Sequence, residues 1–511
     1  MHQYRPAGFE RPTNRHLARL RKELHSVLRE AQSHLTFDTL HLRLPELKVL
    51  AEMLIEFAED LHHDLGIWAA YESYNREFFG VPLPFSRTDH PKGLHRDRVR
   101  HVLWVMYQEL KTGLIIAPAH RDLEQMTDVA WTFLRAMAGE WPRESGLEAF
   151  LRSSNHYGWE VKRKLIWLGT QSYFFRVPFK RYLDENNRGR WEVGVVDDFL
   201  CQECTRWSGL GPIDILARGL EITEADRHDL RHWYERHASF YRVIAATADH
   251  LDTINIISDR PYHIRIDLPN SPFQVGHLVF GSLVPWRGEW YWSGEQELWR
   301  GDAITDIKSL RNTMKRKNSA ILCRFWPEYE AQVRRRASEY HQQALARWGT
   351  DLVVYPDGLT MAAAWQRELQ GTWDSRPQEE IKEVMRRHGL KKPRPEMKLP
   401  RDLLDHNGGI GVFLNPEEGK EILCNFTALV EGLKRRDGEL RDQEKSAIEG
   451  LIEAETISPA FVRRVLTEHG NASVKAAYCL TWDVPDYWLD YLLRTRKGRF
   501  YRKRYPSFSV I

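Results

Sequence analysis

Cysteine is scarce in this chain: five in 511 residues, at 201, 204, 323, 424 and 479. An odd and sparse set argues against a disulfide framework and favours a reducing compartment. Long apolar runs are also missing. With no uncharged apolar stretch of about 18 residues, no transmembrane helix is expected. The first thirty residues mix basic and apolar positions (Arg15, Arg19, Arg21, Lys22) without a continuous apolar run, unlike an ordinary secretory signal. The expectation is a cytoplasmic protein that does not enter membranes. A surplus of either charge is absent, since 74 basic residues face 71 acidic ones for a net +3. Any polyanionic partner must then be argued from local clusters. The chain carries no Gly-x-x-x-x-Gly-Lys-Ser/Thr loop, no Gly-x-Gly-x-x-Gly and no Gly-x-Ser-x-Gly elbow. These absences remove the common signatures of nucleotide binding and of serine hydrolases.

Aromatics are plentiful: 19 Trp, 19 Tyr and 21 Phe. That composition excludes a disordered chain, and the length suggests about three domains. Helical spacing runs through 13–34, from a second start at Pro45, and through 97–111 and 122–140, so residues 1–150 read as a helical domain. Residues 151–222 read as a mixed connector, with Trp191–Val196 suiting a strand. Thr223 caps a helix, with Asp226 three residues on and Leu230, Trp233 and Tyr234 as its apolar stripe. Five short strand-like runs follow, at 240–246, 251–257, 262–268, 277–286 and 289–299. Residues 223–300 thus form a helix plus a small antiparallel β barrel or bent sheet. A helical region at 301–390, a linker at 391–400, and a β-hairpin with helices and a basic tail at 401–511 complete the division. The fold class is α+β, mostly helical at both ends.

The middle segment resembles a group of uncharacterised bacterial proteins, some linked to SEC-C-type zinc-binding modules. The residues in question are Asp226, Leu230, Trp233, Tyr241, Val243, Gly276, Gly281, Leu283, Val284, Pro285, Ser293 and Gly294. The resemblance covers about residues 223–299 and implies no activity. The Cys/His signature of SEC-C is missing, so zinc is not carried over.

Candidate chemistry competes at each place with a plainer reading. Cys201-Gln-Glu-Cys204 is the only Cys-x-x-Cys; without a second ligand pair it reads as two small helix residues rather than a zinc or redox site. His228 and His232 share a helix face, with Glu235 and His237 following. His62-His63-Asp64 follows Glu56, Glu59 and Asp60 and reads as a polar helix end that Gly66 could break. Trp286, Trp290 and Trp292 offer a surface for stacking a ligand, or fill a barrel core. Basic residues gather at Lys308, Arg311, Lys315, Arg316 and Lys317 and at Arg334, Arg335 and Arg336. They are densest at Arg494, Arg496, Lys497, Arg499, Arg502, Lys503 and Arg504, interleaved with Phe500, Tyr501 and Tyr505. Phosphate neutralisation plus ring stacking is the chemistry of a nucleic-acid tail; the plainer reading is a solvated end. Ser458-Pro459 opens a helix that Gly470 ends. A helix pair beside a hairpin and a basic tail suggests a winged helix-turn-helix, although Lys475 is the only basic residue in 472–480.

The leading expectation is a non-catalytic interaction or nucleic-acid-associated protein without a cofactor, its partner nucleic acid or another protein. The alternative is a metal-dependent hydrolase, with a divalent metal on His228 and His232 or near His62 and His63.

Overall fold

Leu17, Leu20, Leu24 and Leu28 recur at helical spacing, and all four are buried. They form the inner stripe of the first of eleven α-helices that precede the sheet among the described residues. These are α1 (Asn14–Gln32), α2 (Leu44–His63), α3 (Ile67–Phe79), α4 (Arg96–Leu110), α5 (Arg121–Ala136), α6 (Gly146–Leu151), α7 (Gly158–Gln171), α8 (Arg176–Asn187), α9 (Val193–Gln202), α10 (Pro212–Gly219) and α11 (Glu224–Arg231). The structure is a computed structural model. It describes residues 5–9, 14–37, 40–84, 93–111, 116, 120–205, 209–266, 272–299, 308–309, 327–388, 396–435, 439–454, 456–477 and 487–501.

Helix α2 starts with Pro45 in its first turn and ends at Asp64, whose φ is 50°. Every residue from Leu50 to Asp60 is buried, including four acids. Each acid is met by a partner far away in sequence: Glu52 by Arg21 at 2.5 Å, Glu56 by Arg176 at 3.0 Å, Glu59 by Arg5 at 2.6 Å, and Asp60 by the Tyr173 hydroxyl at 2.8 Å. Buried charges persist when paired in this way.

Residues 193–196 are helical, not the strand that three valines suggested. The burial of Val196, Phe199, Leu200 and Cys201 follows the i, i+3, i+4 stripe of α9. Packing of that stripe outweighs the β preference of valine.

The five strands fall where alternation placed them: β1 (His237–Ala246), β2 (His250–Asn255), β3 (Pro261–Arg265), β4 (Leu278–Trp286) and β5 (Glu289–Trp299). They form one sheet in the order β1-β2-β3-β5-β4, and β4 pairs back onto β1. Each strand has two neighbours, so the sheet closes. It is mixed rather than purely antiparallel, because β3 and β5 run parallel, pairing Ile264 with Trp290. The turn from β4 to β5 is Arg287-Gly288, both at positive φ, the backbone that a tight two-residue hairpin needs. Thr223 caps α11 by accepting from the Asp226 amide at 3.1 Å. Leu230 and Trp233 are fully buried, and the Trp233 indole donates to the Pro285 carbonyl at 2.7 Å.

The chain divides into two units: residues 1–330 with 484–511, and residues 331–483. The second unit contains α12 (Pro327–Trp348, which begins just before it), β6 (Leu352–Tyr355), α13 (Gly358–Asp374), α14 (Gln378–His388), α15 (Arg401–Leu404), β7 (Ile410–Asn415), β8 (Gly419–Cys424), α16 (Phe426–Lys434), α17 (Asp442–Glu453), α18 (Pro459–His469) and α19 (Ala472–Ala477). Its three strands are antiparallel with β7 central and wholly buried. Gly409, at φ 77°, makes the bend into β7. Ser458 caps α18 by accepting from the Phe461 amide at 3.1 Å. Of the expected linker at 391–400, residues 391–395 lie outside the described residues.

The last described helix, α20 (Trp488–Arg496), belongs to the first unit. Tyr491 packs on Phe79, with ring centres 5.1 Å apart. The backbones of Gly209 and Gly498 approach so closely that neither position has room for a Cβ.

Candidate functional site

The closed sheet carries two polar surfaces, one covered and one open. On the covered side, four elements bring together Lys162 (α7), Asp197 (α9), Arg236 and Ser293 (β5). The Ser293 hydroxyl lies 2.9 Å from both Asp197 oxygens and from the Lys162 ammonium. Lys162 also pairs with Asp197, and Arg236 reaches Asp197 Oδ2 at 2.6 Å and pairs with Asp198. The Cys201 thiol lies 3.9 Å from the Lys162 ammonium. Asp197, Arg236 and Ser293 are almost completely buried.

A serine beside a lysine and an aspartate invites a nucleophilic reading, and the electrostatics oppose it. Burial alone would push the Asp197 carboxyl up, but Lys162 and Arg236 outweigh it and hold the group at about 2. Burial would likewise lower Lys162, yet Asp197 raises it above the ordinary lysine value. The aspartate is therefore ionised and the lysine protonated at neutral pH. Neither is a base able to take the serine proton. The cluster pins α9 and the Arg236 turn to the sheet.

The open side is the outer face of β2 and β3. The His250 and His263 rings stack with centres 4.3 Å apart and an interplanar angle of 16°. His250 is bracketed by Asp249 at 3.1 Å and Glu289 at 3.0 Å. Burial would lower its pKa, but these carboxylates raise it above the ordinary imidazole value. His263 pairs with Asp252 at 2.6 Å. Arg265 lies over the Tyr157 ring, 5.0 Å from its centre, and Tyr157 in turn stacks on Trp159 at 4.6 Å.

The tryptophans singled out in the sequence lie elsewhere. Trp286 is fully buried, and its indole donates to the carbonyls of Asn155 and His156 at 3.1 and 3.2 Å. Trp290 and Trp292 pack inward against Tyr262 and Tyr241, with ring centres 5.0 and 5.6 Å apart. Trp290 and Trp292, on β5, thus pack against the interior cluster of the closed sheet, and Trp286, at the end of β4, belongs to the core shared with the helices.

His228 and His232 do share a face, their rings 4.0 Å apart, and His232 Nδ1 sits 2.7 Å from the His228 carbonyl. The side chains of Glu235 and His237 are outside the described residues. His62 stacks on Trp141. Among the described residues, no group of three His, Cys, Asp or Glu is placed to hold a metal ion.

Of the basic tail, the part up to Tyr501 is folded onto the first unit. The Arg494 guanidinium lies 3.7 Å from the centre of the Phe78 ring and 4.4 Å from that of Tyr501. Arg496 reaches the Gln108 side chain at 3.4 Å, and Lys497 is buried. The Arg499 side chain and residues Arg502, Lys503 and Arg504 lie outside the described residues, as do Arg311, Lys315, Arg316 and Lys317. The helix pair α18–α19 belongs to the second unit, and residues 487–501 belong to the first.

Residues 6–203 match the model of a family described as a protein of unknown function (DUF3843). The matched stretch covers the helices through α9 and leaves residues 223–299 outside it. No curated protein and no solved structure matches the chain. Among the described residues, no helix is long and apolar enough to cross a membrane.

The cluster around Asp197 escapes a reading of the sequence because its members are spread over more than a hundred residues. Cys201 and Ser293-Gly294 stand out there for other reasons.

Proposed function

We propose that this chain is a non-catalytic interaction protein that associates with nucleic acid. In this reading the closed sheet is a small barrel, and the outer face of β2 and β3 meets a single strand. The strand order supports it. The sequence β1-β2-β3-β5-β4 with a parallel β3–β5 pair is that of the five-stranded Greek-key barrels that bind oligonucleotides on the face of their second and third strands. The stacked histidines and the Arg265–Tyr157–Trp159 stack supply flat, partly cationic groups there, as base stacking requires. The charge states of Lys162 and Asp197 favour a binding role over a catalytic one. The odd and sparse set of five cysteines fits a cytoplasmic location.

Each cation on this face has an acidic neighbour, so stacking carries the affinity and few phosphates are neutralised. The basic residues Arg499, Arg502, Lys503 and Arg504 would supply most of the phosphate neutralisation. The test is fluorescence anisotropy of the full chain with labelled oligo-dT and a matched duplex at several salt concentrations. The single strand is expected to bind more tightly. A His263→Ala/Arg265→Ala double variant should weaken binding about tenfold, consistent with about 1–3 kcal/mol per stacked base. Deletion of 502–511 should make the salt slope shallower by about 0.7 for each phosphate that is no longer neutralised. No binding at low salt, or binding unchanged by both alterations, would refute the proposal.

A further inference from the structure

Cys201-Gln202-Glu203-Cys204 touches the charged cluster at one end and the C-terminal segment at the other. Cys201, in the last turn of α9, is fully buried. Its thiol lies 4.0 Å from Asp197 Oδ1 and 3.9 Å from the Lys162 ammonium, and a nearby ammonium favours the thiolate. Cys204 stands just past the helix and is half-buried. Its sulfur rests against Gly498, where an added Cβ would come within 3.2 Å of Cys204 Sγ.

The backbone between the two cysteines separates two arrangements. Glu203 is extended, with φ −91° and ψ 158°, and ends α9 short of Cys204. With Glu203 wound into the helix, the two cysteines would stand one turn apart. Their Cα atoms would then be about 5 Å from each other, within the span of a disulfide. Cys204 does not move alone. The Thr205 amide donates to the Leu210 carbonyl at 2.8 Å, and the Gly209 amide to the Thr205 carbonyl at 3.0 Å. A shift at Cys204 therefore carries Gly209 with it. A Cβ at Gly209 would lie 2.2 Å from the Arg494 carbonyl and 2.9 Å from Gly498 Cα. A contact too close for a methyl group does not absorb a moved loop; it opens.

We propose that Cys201 and Cys204 form a redox switch in which hydrogen peroxide links the two sulfurs and the link releases residues 487–501. The half-buried Cys204 thiolate attacks the peroxide O–O bond. It keeps one oxygen as a sulfenic acid, and the other leaves, protonated, as water. The Cys201 sulfur then attacks the Cys204 sulfur, and its proton departs with the hydroxyl as a second water. Two electrons pass from the thiols to the peroxide. Release would free Arg494 from the Phe78 ring and Arg496 from Gln108, presenting their charge to solvent.

The reduced full chain is treated with hydrogen peroxide, alkylated and mapped by peptide mass spectrometry, with limited proteolysis in parallel. Cys201→Ala and Cys204→Ser serve as controls, each checked for folding by circular dichroism. The parent should gain a Cys201–Cys204 disulfide, and cleavage within 487–501 should become at least about tenfold faster, as a larger open population dictates. Dithiothreitol should reverse both changes, and neither variant should respond to peroxide. Absence of this disulfide, or pairing of either cysteine elsewhere, would overturn the proposal. So would a disulfide that leaves cleavage of 487–501 unchanged, or faster cleavage in the peroxide-treated variants.

Discussion

Asp60 in the helical layer and Asp197 beneath the closed sheet are equally hidden, each 2% exposed, yet they hold protons oppositely. Burial pushes Asp60 up to about 6. Its partners are neutral donors: the Ile67 and Trp68 amides and the Tyr173 hydroxyl. They stabilise the carboxylate without cancelling its charge. Asp197 is held at about 2 because two cations, Lys162 and Arg236, face it. Depth alone therefore does not set the charge state of a buried acid; the formal charge of its neighbours does. In the helical layer the acid stitches one helix end to the next. Beneath the sheet it is the hub of an ionic lock.

The sharpest way to break this comparison is Asp197→Ala. It leaves Lys162 and Arg236 buried without their shared anion, which should cost about 3–5 kcal/mol. Urea unfolding followed by tryptophan fluorescence would show it as a lower midpoint. A change below about 1 kcal/mol would mean that the lock contributes little.

Next in size is the pH response. A raised Asp60 contributes stability that is complete below its unfolded value of 3.8 and lost as pH rises through about 6. The difference is on the order of 3 kcal/mol. A depressed Asp197 contributes stability present above 3.8 and lost as pH falls through about 2. Asp60→Asn should remove the loss between pH 4 and 6 while leaving the acid limb below pH 4 intact, as read from unfolding midpoints across pH.

The smallest effect is expected at Gly209, where φ is 69° and a Cβ would run into the Arg494 carbonyl. Gly209→Ala should cost about 1–3 kcal/mol and expose residues 487–501 to limited proteolysis. The pH responses of Asp60 and Asp197 should stay as they were. Resistance of that segment in the variant would contradict its place in the first unit.

The sequence made the strands legible because β2, β3 and β5 alternate faces and Asp259-Arg260-Pro261 and Arg287-Gly288 interrupt them. The α1 and α11 helices were legible from leucine spacing and a threonine cap. Valines misled at 193–196, where the deciding contacts come from distant residues. Closure of the sheet, the parallel β3–β5 pair and the return of α20 to the first unit are long-range pairings that no local pattern encodes. The charged lock was hidden for the same reason. Its lysine, aspartate, arginine and serine are unremarkable in their own windows, and only folding brings them within 3 Å of a common carboxylate or hydroxyl.

Hydrogen–deuterium exchange of the full chain, with and without oligo-dT at low salt, tests the central claim most directly. Slowed exchange at residues 250–254 and 261–265, with little change around Asp197, is the predicted result. Protection confined to 487–501 and the residues beyond, or none at all, would contradict the assignment of β2 and β3 as the binding face.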